Sequence, residues 1–264
     1  MRKTEYLRYV ALGDSQTEGL GDGDDTVGLR GFADRLAGHL AAASPGLRYA
    51  NLAVRGRLAG QVRAGQLGPA LELRPDVATV VAGVNDLLRP RFDAAEVAGE
   101  LEEVFAALTG AGARVATVTF PDVARIAPLA RPLSPRVSEL NNHIRAAAAR
   151  HGVVVAETGL EAAATDPRMW ATDRLHASPL GHARIAAALA EALELPGSGG
   201  AWREPLPPGP PRALVGTVAA EAAWLAGFLG PWLGRRLRGT SSGDGRTAKR
   251  PQLLPVQATL RGRP

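Results

Sequence analysis

YVALGDSQTEG, running from Tyr9 to Gly19, is the stretch on which the fold turns. Tyr9, Val10, Ala11 and Leu12 form a short apolar run of the kind that a parallel strand buried on both faces requires. The run stops at Gly13, a residue that tolerates a tight turn. Ser15 is thereby thrown to the carboxyl end of a strand, the edge at which open α/β sheets bind their ligands. A nucleophile at Ser15 and a simple helix N-cap at Ser15 both fit these residues alone, and the rest of the chain has to separate them.

Working outward, the same alternation recurs. Strands are expected at Tyr6 to Leu12, Leu47 to Ala53, Asp76 to Ala82, Arg114 to Thr119 and Gly152 to Ala156. Helical periodicity falls between them, near Gly31 to Ala43, Leu58 to Leu73, Ala94 to Thr109 and Val137 to His151. Five strands separated by helices predict a parallel sheet with right-handed crossovers and helices on both faces. A last helix opens at Ser178 as cap with Pro179 in its first turn, and Ile185, Leu189 and Leu193 mark one face. Four prolines in Pro121 to Pro135 exclude a regular helix there and predict a stiffened rim.

Composition bounds the rest. The 264 residues suffice for one domain of about 200 residues with an appendage, or for two small domains. Apolar residues make up 45% but aromatics only 5%, so Ala, Leu and Val must build the core. With no cysteine there is no disulfide, thiolate chemistry or Cys-ligated metal. The N-terminal apolar run is too short for a signal peptide, and a cytoplasmic protein is expected.

The domain is expected to span residues 1–195, because PGSGG and EPLPPGPP follow with the composition of a linker. Residues 196–264 then read as Pro/Gly-rich linker, apolar helix and basic tail, the final SSGDGRTAKRPQLLP being extended. From Pro196 onward ten Lys or Arg stand against three acids, a balance of +7 in a chain of net +5, which leaves −2 for the first 195 residues. The basicity belongs to the tail, and nucleic acid is not expected as a partner. Ala213 to Gly234 carries one charge, Glu221, near its middle, and with Pro231 and its glycines it makes a poor membrane span. Its apolar stripe of Val218, Leu225, Phe228, Leu229 and Trp232 either docks on the domain or rests peripherally on an anionic membrane surface.

A serine hydroxyl needs a base to take its proton, usually a histidine held by a carboxylate. His39, His143 and His182 fall inside expected helices and His151 ends one; only His176, in TDRLHASPLGH, occupies a loop before a helix, with Asp173 three residues earlier. A loop Asp-x-x-His lets the carboxylate accept from one ring nitrogen while the other faces outward. Negative charge developing on an acyl oxygen also needs donors. Gly56, in NLAVRG after the second strand, and Asn85, in VVAGVNDLL after the third, put a bare backbone N–H and a side-chain amide on the same sheet edge as Ser15.

GDS at Gly13 to Ser15, the glycine of NLAVRG at Gly56, GVND at Gly83 to Asp86 and DRLH at Asp173 to His176 resemble, in order, the four blocks of the SGNH (GDSL) hydrolase family. The resemblance spreads over residues 9 to 185 and implies a flavodoxin-like three-layer α/β/α fold, ester hydrolysis through an acyl-enzyme, and no metal or organic cofactor. It implies Ser15 as nucleophile, His176 as general base and then acid, Asp173 as its orienting partner, and an oxyanion hole from the Ser15 and Gly56 N–H groups and the Asn85 amide. The substrate class is then a small-molecule, lipid or carbohydrate ester. Acyl transfer to an alcohol by the same residues, or a non-catalytic scaffold recruited through the basic tail, are the alternatives.

Two positions depart from the family pattern. Arg55 stands before the second-block glycine where a small residue is common; it either attracts anionic substrates or points to solvent or pairs with Asp86 or Glu18. Gln16 follows the serine where leucine is common. GLGDGDD, Gly19 to Asp25, misses the phosphate-loop and EF-hand spacings and reads as a mobile loop beside the site. Trp170 reads as a packing residue.

Overall fold

The computed structural model describes residues 5–208, 227 and 242–256. The apolar stripe of 213–234 lies outside them, apart from Gly227. In chain order the elements are β1 (Arg8–Gly13), α1 (Ser15–Glu18), β2 (Gly23–Asp24), β3 (Gly28–Leu29), α2 (Phe32–Ala43), β4 (Arg48–Asn51) and α3 (Ala59–Glu72). There follow β5 (Val77–Val81), α4 (Val84–Leu87), α5 (Ala94–Gly110), β6 (Arg114–Val118), α6 (Val123–Ile126), α7 (Ser134–Arg150), β7 (Val154–Ala156), α8 (Pro179–Ala192) and β8 (Arg250–Pro255). The five strands expected from the apolar runs all form, with ends displaced by at most two residues.

They lie in the order β7-β6-β5-β1-β4, all parallel, which is the doubly wound flavodoxin-like arrangement. The sheet is larger than the five strands expected. A sixth strand, β8, from the segment read as extended tail, pairs antiparallel with β4 at the edge. Its sequence RPQLLP has no strand periodicity, and its pairing partner lies some 200 residues earlier, so no local pattern announces it. An edge position also suits its two prolines, which cannot donate to a ladder.

Helices cover both faces. Val62, Leu101, Val104, Leu140 and Ile144 of α3, α5 and α7 pack against Val10, Leu12, Ala78 and Val80. On the other face Phe32, Leu36 and Leu40 of α2 and Ala186 and Leu189 of α8 meet Tyr9, Ala11, Val77 and Ala116. Alternate β1 residues thus serve opposite cores, as the period of two demands. Trp202, beyond the expected domain end, is 6% exposed in the second core and donates to Glu191. Ser178 caps α8 by accepting from the Gly181 N–H at 3.2 Å, with Pro179 at its start, as the sequence predicts. Pro121 to Pro135 forms only the short α6 and a 3-10 turn at Pro128–Leu133 before α7 begins.

Candidate active site

β1 ends at Gly13, whose φ of +153° and surroundings leave no room for a side chain: a Cβ there would meet the Val81 carbonyl oxygen at 2.2 Å and Thr17 Oγ1 at 2.3 Å. The Gln66 amide of α3 pins the same residue, accepting from the Gly13 N–H at 2.9 Å and donating to its carbonyl at 2.8 Å. α1 then starts at once. Ser15 is its first residue, and Asp14 rather than Ser15 is the N-cap, accepting from the Gln16 N–H at 3.2 Å. The serine hydroxyl is therefore not spent on the helix end.

The structure brings Ser15, Asp173 and His176 together. Ser15 Oγ lies 2.9 Å from His176 Nε2, and His176 Nδ1 lies 2.6 Å from Asp173 Oδ2. The other Asp173 oxygen accepts the Leu175 and His176 backbone N–H groups, each at 2.9 Å, so the carboxylate grips both the ring and the loop that carries it. Burial pushes the Asp173 carboxyl up, but the His176 hydrogen bond and charge and these two N–H groups outweigh it and hold it below the usual carboxylate range. Ser15 and His176 are each 8% exposed. With Nδ1–H donating to Asp173, Nε2 is left to accept the serine proton.

Gly56 follows β4 at φ +77° and Asn85 lies in α4 after β5, so both stand past strands adjacent to β1. The Asn85 amide donates to Asp14 Oδ2 and to the Arg57 carbonyl, each at 3.1 Å, which ties the third block to the first and to the Gly56 turn. Arg55 neither faces solvent nor pairs with Asp86. It is 8% exposed, and its guanidinium meets Glu18 Oε1 at 2.6 Å and Asp25 Oδ1 at 2.8 Å. Its backbone N–H also donates to Glu18 Oε2 at 2.7 Å. Of the roles open to Arg55, pairing with Glu18 is the one found; Asp86 instead accepts the Ala59 N–H that opens α3, at 3.1 Å.

Three residues escaped the sequence reading. Gln16 brackets the histidine: its Nε2 donates to the Leu175 carbonyl at 2.9 Å and its Oε1 accepts the Ala177 N–H at 3.2 Å. Its departure from the family's leucine was the available signal. Asp14, 2% exposed, is pushed up to about 7 by burial, although the Gln16 N–H, the His176 charge and the Asn85 amide each pull it down. His182, fully buried, accepts the Phe32 N–H at Nδ1 and meets the Leu20 carbonyl with Nε2 at 2.9 Å, and burial drops it to about 4. The stretch Gly19 to Asp25 runs into a β2–β3 hairpin, and its Asp22 and Asp25 pair with Arg35 and Arg55. Trp170 donates its indole N–H to the Ala164 carbonyl at 2.8 Å, a packing role. Among the described residues no His, Asp and Glu gather to hold a metal, and no helix is long and apolar enough to cross a membrane.

Comparison with known proteins follows the same span. An alpha/beta hydrolase enzyme from the metagenome of Lake Arreo, Spain, superposes with a TM-score of 0.59 at 24% identity, covering 72% of this chain and 95% of its own. An acetyl xylan esterase from Geobacillus stearothermophilus gives 0.61 at 19%, covering 74% and 98%. The lipase/acylhydrolase from Enterococcus faecalis gives 0.58 at 22%, covering 71% and 95%. At these identities the likeness is one of fold. No curated protein matches the chain. The family model described as GDSL-like Lipase/Acylhydrolase, however, matches residues 11–184, from the strand that precedes Ser15 into the helix that follows His176. Spanning well over half the sequence and all four blocks of the site, that match establishes that the chain belongs to the GDSL-like lipase/acylhydrolase family.

Proposed function

We propose that this protein is a serine esterase that cleaves carboxylic esters through an acyl-enzyme on Ser15. The observation that supports the reading is the hydrogen-bonded line Ser15 Oγ to His176 Nε2, 2.9 Å, and His176 Nδ1 to Asp173 Oδ2, 2.6 Å. As Ser15 Oγ attacks the ester carbon, its proton passes to His176 Nε2, and Asp173 stabilises the resulting imidazolium without taking the proton. The carbonyl oxygen becomes an oxyanion, held by the Ser15 and Gly56 N–H groups and by the Asn85 amide, which exchanges one of its present acceptors for it. Collapse of this tetrahedral intermediate breaks the ester C–O bond, and the alcohol leaves with the proton from His176. Water then gives a proton to His176 as its oxygen attacks the acyl carbon, and collapse of this second tetrahedral intermediate breaks the acyl–Oγ bond, releasing the acid as His176 returns the proton to Ser15.

Solved relatives of this fold include an acetyl xylan esterase and a lipase/acylhydrolase, which makes acetylated carbohydrates and short acyl esters the first substrates to try. The test is steady-state hydrolysis of p-nitrophenyl acetate and acetylated xylo-oligosaccharides by wild type and Ser15→Ala. The variant should lose roughly four orders of magnitude or more in kcat at unchanged melting temperature. Substantial turnover by Ser15→Ala would remove the serine from the mechanism.

A further inference from the structure

The segment Gly243–Pro255 lies beyond the family span of residues 11–184, yet it is fastened across the side of the site that carries Gly56. β8 hydrogen-bonds along β4, the strand that leads to that turn, and Arg250 reinforces the edge by donating from Nε to the Tyr49 carbonyl at 2.8 Å. Lys249 Nζ reaches Asp34 Oδ2 at 2.6 Å and the Leu29 carbonyl at 3.0 Å, tying the segment to α2 and the hairpin. Arg246 Nη2 meets Asp25 Oδ2 at 2.7 Å; Asp25 grips Arg55, and Arg55 grips Glu18 of α1. A continuous chain of charges, basic and acidic in turn, thus runs from the strap to the helix that bears Ser15.

Gly243 makes the closest approach. It is buried, and a Cβ built on it would lie 1.9 Å from the Arg55 carbonyl oxygen and 3.4 Å from Val54 Cγ1. The Arg55 carbonyl and the Gly56 N–H belong to one trans peptide, so they point in opposite directions from a single rigid plane. What presses on that oxygen tilts that hydrogen. Gly243 does not have a positive φ, so the reason for a glycine here is the contact with Arg55 and not its own backbone.

We propose that Gly243 and Arg246 are positioning residues: the C-terminal strap sets the plane of the Arg55–Gly56 peptide, and with it the aim of a donor on the oxyanion. The inference rests on the serine-esterase reading, in which the Gly56 N–H is such a donor. Gly243→Ala forces the carbonyl to tilt or the strap to lift, and Arg246→Ala cuts the charge chain at an exposed pair. Gly243 meets the Arg55 carbonyl and Arg246 meets Asp25, and neither residue is proposed to supply the nucleophile, base or oxyanion donors, so binding should be spared while stabilisation of the tetrahedral anion suffers.

The experiment compares full-length wild type, Gly243→Ala, Arg246→Ala, Arg246→Lys and Ser15→Ala on p-nitrophenyl acetate. Inhibition is measured in parallel with an alkylboronic acid, which forms a tetrahedral anion on a catalytic serine. For Gly243→Ala kcat should fall about 10- to 100-fold with KM within about twofold, and the boronate should weaken by a similar factor. Arg246→Ala should lose about threefold to tenfold in both readouts, and Arg246→Lys should recover most of it. If Ser15→Ala is inactive while Gly243→Ala and Arg246→Ala keep wild-type kcat, or lose kcat without weakening the boronate, the strap is structural only and the inference is overturned. If Ser15→Ala stays active, the underlying esterase reading is what fails. Should Gly243→Ala not fold, the Arg246 variants decide on the same criteria.

Discussion

Replacing Gln16 by leucine, the residue that commonly follows the nucleophile in this family, should damage this protein. The Gln16 amide makes two hydrogen bonds, to the Leu175 carbonyl at 2.9 Å and from the Ala177 N–H at 3.2 Å, and these are the peptide groups on either side of His176. Ala177 is 1% exposed, so its N–H has no water to fall back on. Stranding it costs about 1 to 3 kcal/mol, and losing the bond to the half-buried Leu175 carbonyl adds about 1 kcal/mol. Burying leucine returns about 1 to 2 kcal/mol. At the middle of these ranges the polar loss wins by about 1.5 kcal/mol, a drop in melting temperature of roughly 3 to 6 °C for a chain of this size. Catalysis should suffer more than stability suggests. Asp173 still holds the ring, but the loop flanking it loses its second anchor, and a small displacement of His176 Nε2 from Ser15 costs kcat about tenfold or more. Gln16→Glu is the control: it keeps an acceptor for Ala177 but turns a carboxylate oxygen on the Leu175 carbonyl, so it should be no better. The assays are thermal melts and kcat and KM on p-nitrophenyl acetate. A Gln16→Leu protein with wild-type kcat and melting temperature would refute the bracketing role.

Two further predictions concern pH. Asp14 sits near 7 in the folded protein against an ordinary 3.8, so between those values the fold keeps a proton that the unfolded chain has released. Stability therefore declines as pH rises from about 4 to about 7, by up to about 4 kcal/mol. Asp14→Asn should gain melting temperature over wild type at pH 8 relative to pH 5, and a difference independent of pH would count against a protonated Asp14. His182 has the opposite sign. Held near 4 against 6.5, it resists a proton that the unfolded chain accepts, so stability is lost as pH falls from about 6.5 to about 4, by about 3 kcal/mol. His182→Asn should melt lower at pH 7.5, having lost its fit between Phe32 and Leu20, yet show a shallower acid limb; melts from pH 4 to 8 check both.

What the sequence disclosed follows from how far each signal travels along the chain. The five parallel strands were legible because burial on both faces writes itself as an apolar run, as at Tyr9 to Leu12 and Val77 to Val81. Ser15, Gly56 and Asn85 were legible because each follows a parallel strand, and the sheet order brings those strand ends to one edge; Asp173 and His176 were legible as an Asp-x-x-His in the loop just before α8. β8 was not, because its strand character comes from β4 and not from RPQLLP. Arg55 illustrates the limit: a substrate contact, solvent and a pair with Asp86 or Glu18 are all open to it in the sequence, and only folding, which brings Glu18 and Asp25 close from 37 and 30 residues away, selects among them. Gln16 shows in the sequence only as a departure from leucine, because a side-chain amide carries no record of which distant peptide it will clamp.

Those distant contacts meet in a single helical turn. An isolated four-residue helix such as α1 has no stability of its own, and Ser15 to Glu18 are all buried. Each residue is tied to a different part of the site. Ser15 holds the His176 ring and Gln16 the loop around it; the Thr17 carbonyl accepts from Asn51 of β4 at 2.8 Å; Glu18 holds Arg55 and so the Gly56 turn. Asp14, one residue earlier, accepts from Asn85. The order in α1 is thus lent by the elements that carry His176, Asn85 and Gly56, so the Ser15 hydroxyl cannot be in place unless those elements are in place too. The GDS tripeptide permits a serine at the sheet edge. Its aim is a tertiary property, which is why a glycine 228 residues further along, at Gly243, can bear on the same reaction.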